Sequence, residues 1–300
     1  MLSFSSRQKV YRIDSVEIGG QPGERPTVLI GSLFFAGHRI VRDPDKGLFD
    51  TDKAKALLEK EEELSAVYGN PRIIDVIGDT AQALIRYVQF VAAHSSSPIL
   101  VDSPSQKVRL ETVKYFAGSE VMPRLTYNAI AEDHTDEELA MLKECGVKSA
   151  VVLAFNTRAL KPRAKIKQLE EDLLPAAESA GIENILIDTG VLDVPGVSWA
   201  GAAIREVKEC LGYPSGCAPC NTLYTWHRMK ARGTPAFEAA ASSVLAFTKA
   251  QGADFIFYGS MQNASWAYPA VATMDALVAY GGRLGGIRPA SLEHPLYKIF

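Results

Sequence analysis

Residues 149–188 hold Ser149–Asn156 (SAVVLAFN), Lys165–Ala180 (KIKQLEEDLLPAAESA), Gly181 and then Asn184–Asp188 (NILID). The two short β-branched runs read as strands, and the stretch between them has helical character and stops at a glycine. Strand, helix, strand is the unit from which parallel sheets are wound. The same alternation runs outward in both directions. Upstream, strands are expected at Thr27–Phe35 (TVLIGSLFF), Arg72–Gly78 (RIIDVIG), Pro98–Asp102 (PILVD) and Arg124–Ile130 (RLTYNAI). Downstream they are expected at Ser215–Asn221 (SGCAPCN), the weakest, and at Asp254–Gly259 (DFIFYG). Eight strands at even spacing with no linker predict an α/β fold, a closed (β/α)8 TIM barrel occupying residues 1–300 as one domain. An open doubly wound sheet is the runner-up.

Helices are expected between the strands. Thr51–Tyr68 opens on a Thr or Asp cap and stops before Gly69-Asn70, and Thr135-Asp136-Glu137-Glu138 is a capping box for a helix to about Cys145. Ser198–Leu211 ends at Gly212, Pro235–Gln251 ends at Gly252, and Pro269–Tyr280 is the last. Helix Thr51–Tyr68, with Glu59 and Glu61–Glu63, reads as a solvated acidic face. Outside the barrel, Tyr11–Glu17 (YRIDSVE) ahead of Gly19-Gly20 reads as a strand or hairpin, within about residues 8–24, that closes the barrel bottom. Gly281–Phe300 reads as a docking tail.

Composition narrows the function. The 300 residues carry 32 Lys and Arg against 35 Asp and Glu, a net charge of −3. That balance offers no basic field for a nucleic-acid backbone. Apolar residues make up 47%, enough for a core, but no run approaches the ~18 residues of a membrane span. Met1–Val10 lacks the apolar centre of a secretory signal, and four cysteines are too few for a disulfide framework, so a cytoplasmic location is expected.

In a barrel, chemistry sits where the strands end and the βα loops begin. Those ends carry Asp75 and Asp79, Asp102-Ser103, Asn128, Asn156-Thr157, Asp188-Thr189, Asn221, and Gly259 with Gln262 and Asn263 beyond it. The rim is carboxylates and carboxamides, with no Lys and almost no His. Helix capping accounts for some of these positions. Asp102 and Asp188 each follow an apolar run directly, where a charge needs partners that a ligand can supply. Carboxylates and amides together suit a flat heterocycle with several N–H donors and a carbonyl. The chain has no G-x-G-x-x-G and no Walker A segment, so nucleotide chemistry is unsupported.

A series of segments then carries a family likeness: Gly19-Gly20-Gln21-Pro22-Gly23-Glu24, Pro26–Ile30 (PTVLI), Gly37-His38-Arg39-Ile40-Val41 and Asp45-Lys46-Gly47. It continues with Gly69-Asn70-Pro71, Leu100–Ser103 (LVDS), Val152–Asn156 (VLAFN), Gly212-Tyr213-Pro214 and Gly252-Ala253-Asp254. In this order they resemble the MtrH family of tetrahydromethanopterin S-methyltransferase and its stand-alone relatives, the methylcorrinoid:tetrahydrofolate methyltransferases. The resemblance implies a pterin-binding barrel that moves a methyl group between a cobalt corrinoid (methylcobalamin-type), carried by a partner protein, and N5 of a tetrahydropterin. It puts the pterin on Asp102, Asn128, Asp188 and Asn221, with Asp75 and Asn156 as further candidates. The implied step is attack of N5 on the methyl carbon of a methyl–cobalt(III) corrinoid, leaving cobalt(I). Asn221 and Asp102 are the expected catalytic residues, and Asp188 is expected to accept N–H bonds from the pyrimidine edge. A chain without a membrane anchor points to tetrahydrofolate as acceptor, giving 5-methyltetrahydrofolate, with tetrahydromethanopterin as the alternative. The likeness also implies a homodimer and a methylated corrinoid protein over the mouth, with Met261, Trp266 and Tyr268 as apolar contacts. Arg39, Arg42 or Arg158 could meet an anionic substrate tail.

Three other readings remain open. Cys210, Cys217 and Cys220 with His227 suggest a zinc-dependent thiol methyltransferase, but a lone C-x-x-C without a paired motif argues against a metal. A dihydropteroate synthase would need basic residues late in the barrel, where this chain has Cys217, Asn221 and Gly259-Ser260-Met261. A non-catalytic chain that only binds pterin or the corrinoid protein is the rival of a different class. His38 reads as a hydrogen-bonded loop residue, and His94, His134 and His294 as surface residues.

Overall fold

The computed structural model describes residues 2–156 and 160–300. Eight parallel strands close into a barrel: β1 Val28–Leu33, β2 Arg72–Ile77, β3 Ile99–Asp102, β4 Leu125–Ile130, β5 Ser149–Leu153, β6 Asn184–Asp188, β7 Ser215–Cys217 and β8 Phe255–Ser260. Each pairs with its neighbours in sequence, and β8 returns to β1. The α-helices of six residues or more are α1 Thr51–Tyr68, α2 Ala81–His94, α3 Gln106–Phe116, α4 Asp136–Glu144, α5 Pro162–Gln168, α6 Leu174–Ser179, α7 Val197–Cys210, α8 Thr234–Ala250 and α9 Ala264–Gly282. A π-helical turn, Leu169–Leu173, joins α5 to α6. The cap of α4 follows the sequence, Thr135 accepting from Glu138 N; that of α1 is Asp50, one residue before the expected Thr51, accepting from Lys53 N.

Strand alternation sorts the side chains into two cores. Ile74, Val76, Ile99, Val101, Tyr127, Ile185 and Ile187 pack outward under the helices. Ile30, Ile73, Leu100, Val151, Leu186, Phe255 and Phe257 fill the barrel interior, joined there by Ile13, Val16 and Ile18. Those last three come from an antiparallel hairpin, Val10–Ile13 with Val16–Gly19, so the expected N-terminal hairpin plugs the bottom of the barrel. The tail folds back on its own chain, with Leu296 against Ala276 and Ala279 and Ala290 N bonded to Glu24 O at 2.8 Å.

Several local readings are corrected. β7 has three residues rather than seven, because Pro219 cannot continue the ladder and a short helix, Cys220–Leu223, follows. α9 begins at Ala264, not Pro269. The proline lies about one turn in, and the carbonyl it leaves unpaired belongs to exposed Ser265. Glu61 is not on a solvated face. It is fully buried, 3.3 Å from Arg72, and accepts from Tyr258 OH at 2.5 Å. His294 is also buried, its Nδ1 accepting from Leu296 N. Met261 and Tyr268 lie in the core, which removes them as mouth contacts.

Candidate active site at the barrel mouth

At the C-terminal ends of the strands lies a cavity of about 460 Å³, the size of a small-molecule site. Asp75, Asp102, Asn128, Asp188 and Asn221 line it, together with Ser32, Arg109, Phe155, Cys220 and Phe257. Strand parity explains the first four. Asp75 shares the inward face of β2 with Ile73, Asp102 that of β3 with Leu100, and Asp188 that of β6 with Leu186. Each of these carboxylates thus sits one layer above an apolar residue of the barrel floor, and Asn128 shares its face of β4 with the buried Thr126. Asn156 lies beyond the end of β5 and outside the cavity lining, and its Nδ2 donates to Glu132.

Asp102 on β3 is the register partner of Asn128 on β4, and the Asn128 side chain hydrogen-bonds to it. Asp75 lies two residues deeper, with Ile77 opposite Asp102. Ser32 Oγ donates to Asp75 Oδ2 at 2.6 Å, and Asp75 Oδ1 is shut away from solvent. Burial and the adjacent Asp102 charge push Asp75 well above the usual carboxylate range. Burial pushes Asp102 up to about 6, against the pull of the Arg109 guanidinium. Asp75 is the more strongly raised of the two and so the one that takes up a proton more readily. Across the mouth, burial raises Asp188 to about 6, restrained first by the Gly190 N–H at 2.7 Å from Oδ1 and then by the charge of Lys165. Gly190 has φ +65°, and a Cβ there would stand 2.6 Å from Phe155, so glycine lets this ring close beside Asp188.

Two basic residues are invisible to a reading of strand ends. Arg109 reaches the cavity from α3, donating to Ser103 O at 2.6 Å and standing 5.1 Å over the Tyr127 ring. Lys165 on α5 bends back to Ala154 O at 2.6 Å, behind Phe155. The rim itself is free of lysine; Arg109 comes to it from one helix, and Lys165 comes from another to stand behind its wall. Their only trace in the sequence is a place in the first turns after the β3 and β5 loops. Asn221 is found on the short helix after β7, exposed at the cavity edge, with Cys220 Sγ 3.5 Å from its Oδ1.

The remaining candidates lie elsewhere. His38 is buried beside the mouth, its Nδ1 accepting from Phe34 N and its ring stacked on Phe35 at 4.5 Å. Arg39 is exposed near it, Arg42 is 3.3 Å from Asp50, and Arg158 lies outside the described residues, as does Thr157. Trp266 lines a side cavity with Tyr224, Lys230 and Phe237. All four cysteines are free thiols: Cys145 and Cys217 are in the core, Cys210 is exposed on α7 and Cys220 faces the cavity. Among the described residues no group of three or more His, Cys, Asp or Glu is placed to hold a metal ion, and no helix is long and apolar enough to cross a membrane.

The fold is that of the dihydropteroate synthase barrels. The enzyme of Yersinia pestis, solved with a pterine-sulfa conjugate, superposes with a TM-score of 0.61, covering 90% of this chain and 98% of that one at 14% identity. Sequence comparison is more specific. Residues 6–290 match the family described as tetrahydromethanopterin S-methyltransferase MtrH subunit, and the chain belongs to that family of methyltransferases. It is 37% identical to the corresponding tetrahydromethanopterin S-methyltransferase chain of Methanopyrus kandleri, over 96% of each chain. It is 33% identical to the equivalent chain of the putative methyltransferase mtx of Methanosarcina acetivorans, over 99% of each.

Proposed function

We propose that this chain transfers a methyl group from a methyl-corrinoid carried by a partner protein to N5 of a tetrahydropterin bound in the mouth cavity. The observation that carries this is the cavity's inner face: Asp102 beside Asn128 on one side and Asp188 on the other, in a chain of the MtrH family. A pterin presents N–H donors on its pyrimidine edge, and the two carboxylates can each accept from it. Asp188 Oδ1 is occupied by Gly190, leaving Oδ2 for the ligand. Asp75, when protonated, can donate to the Asp102 carboxylate and hold it in place for the ligand. Asn221, at the edge, can donate to or accept from N5 as its protonation changes. The carrier-bound corrinoid supplies the methyl group as an electrophile. This chain's part is to hold the ring, exclude water from its floor and keep N5 facing the open mouth.

The names of the full-length relatives favour tetrahydromethanopterin as the acceptor over tetrahydrofolate, the acceptor expected from the sequence. The two share the ring that the cavity would read. Anaerobic calorimetry with each tests the reading, followed by methyl transfer from free methylcobalamin. Micromolar binding of tetrahydromethanopterin, with turnover, is the expected result. Tighter binding of tetrahydrofolate would reassign the acceptor. Binding without turnover would support a non-catalytic role, and no binding of either would remove the pterin reading.

A further inference from the structure

Three lysines are buried among the described residues: Lys165, Lys208 and Lys249. Lys208 Nζ stands 2.6 Å from Asp254, and Lys249 Nζ 2.9 Å from Asp275, so each of those ammonium groups has its own carboxylate. Lys165, only 2% exposed, has none within salt-bridge distance among the described residues. Among the described residues its Nζ makes one hydrogen bond, to Ala154 O at 2.6 Å, and lies 5.4 Å from the centre of the Phe155 ring. An ammonium has three donors, and a buried charge without a compensating partner is costly. Something near Lys165 must balance it.

The local geometry identifies that partner. Ala154 directly follows β5, whose Leu153 is the register partner of Asp188, and Ala154 N donates to Asp188 O at 2.8 Å. Phe155, which Lys165 approaches from behind, lines the cavity and packs against Gly190, the residue whose N–H holds Asp188 Oδ1. The ammonium therefore stands behind the cavity wall on the side of Asp188.

We propose that Lys165 is a positioning residue of the mouth cavity: a buried counter-charge, set behind Phe155, that keeps Asp188 a carboxylate ready to accept the substrate's N–H groups. It rests on the tetrahydropterin reading above. The charges act on each other in the expected sense, Lys165 holding Asp188 down and Asp188 holding Lys165 up, each against burial. Without Lys165 the carboxyl of Asp188, already raised to about 6, would rise further. A substrate that needs the ionised form would then lose affinity in acid and not in base.

The test is calorimetric affinity for tetrahydromethanopterin, or tetrahydrofolate if that is the ligand bound, at pH 6 and pH 8.5, for wild type, Lys165→Met and Lys165→Arg. A rise of about one unit in the Asp188 midpoint predicts a roughly fivefold loss at pH 6 and none at pH 8.5 for Lys165→Met. Lys165→Arg should keep the wild-type profile. Where the Met variant does not fold, Lys165→Gln, which retains a donor for Ala154, takes its place with the same expectation. An equal loss at both pH values, or no loss at either, would show that Lys165 only staples α5 to β5 and would overturn the proposal. Failure of the wild type to bind either pterin would instead remove the functional reading, and the role of Lys165 with it.

Discussion

Asp102 and Asn128 face each other as register partners on adjacent parallel strands, both on the inward side of the barrel. The amide lowers the proton affinity of the carboxylate, and Arg109 adds its charge to the same end. Asn128→Ala should therefore raise the Asp102 midpoint above about 6 and shift the acid limb of pterin binding upward. A pH series of binding isotherms checks this; an unmoved acid limb would count against Asp102 as the group read by the ligand.

Asp188→Ala removes a charged acceptor from the opposite wall. Loss of such a bond costs about 1.5–3 kcal/mol, or about 10–150-fold in tetrahydropterin affinity. Titration of the purified variant measures it directly, and unchanged affinity would sink the assignment of Asp188.

Asp188→Asn should also stabilise the ligand-free protein. The folded-state midpoint of about 6 lies above the ordinary carboxylate value, so the wild type loses stability as pH rises from the unfolded value through that midpoint. An isosteric amide escapes the loss. The variant should match the wild type near pH 4 and exceed it by about 2–3 kcal/mol at pH 8. Urea melts at both pH values decide it, with a pH-independent gap as the contrary result.

Arg72→Met should strand the Glu61 carboxylate in the core. Glu61 is already raised to about 7 by burial, with Arg72 as its largest stabilising neighbour. Breaking a buried pair from one side costs about 3–5 kcal/mol. Adding Glu61→Gln should recover part of that, and a double-mutant cycle in urea would show the coupling. Additive effects would mean that the pair does not act as one.

Gly190→Ala should disable the site from behind. Its φ of +65° disfavours a side chain, and the new Cβ would meet Phe155 at 2.6 Å. A stability loss of about 1–3 kcal/mol is expected, together with weaker pterin binding as Phe155 and the Gly190 N–H shift. Binding at wild-type strength would show that Oδ1 of Asp188 needs no such anchor.

The barrel is legible because its signals are local and repeated. β6, Asn184–Asp188, has the predicted bounds, and α4 begins at a cap that the side chain itself announces. β7 is hard to read because its three residues bury small side chains, Ser215, Gly216 and Cys217, which carry no hydrophobic pattern. Glu61 misleads for the opposite reason. It sits in an acidic run, and only the distant Arg72 and Tyr258 make its burial tolerable.

Legible in the chain before folding were the eightfold βα alternation and the polar residues at or near the ends of four inward-facing rows, Asp75, Asp102, Asn128 and Asp188. Period-two alternation is a property of the chain, so a strand's last inward residue can be read before folding. Tertiary packing decided that Asn156 turns to Glu132, that Asp75 is raised further than Asp102, and that Arg109 and Lys165 approach the site from helices. Those outcomes depend on long side chains crossing between elements and on burial, which raises or holds down a charge according to what else is brought beside it.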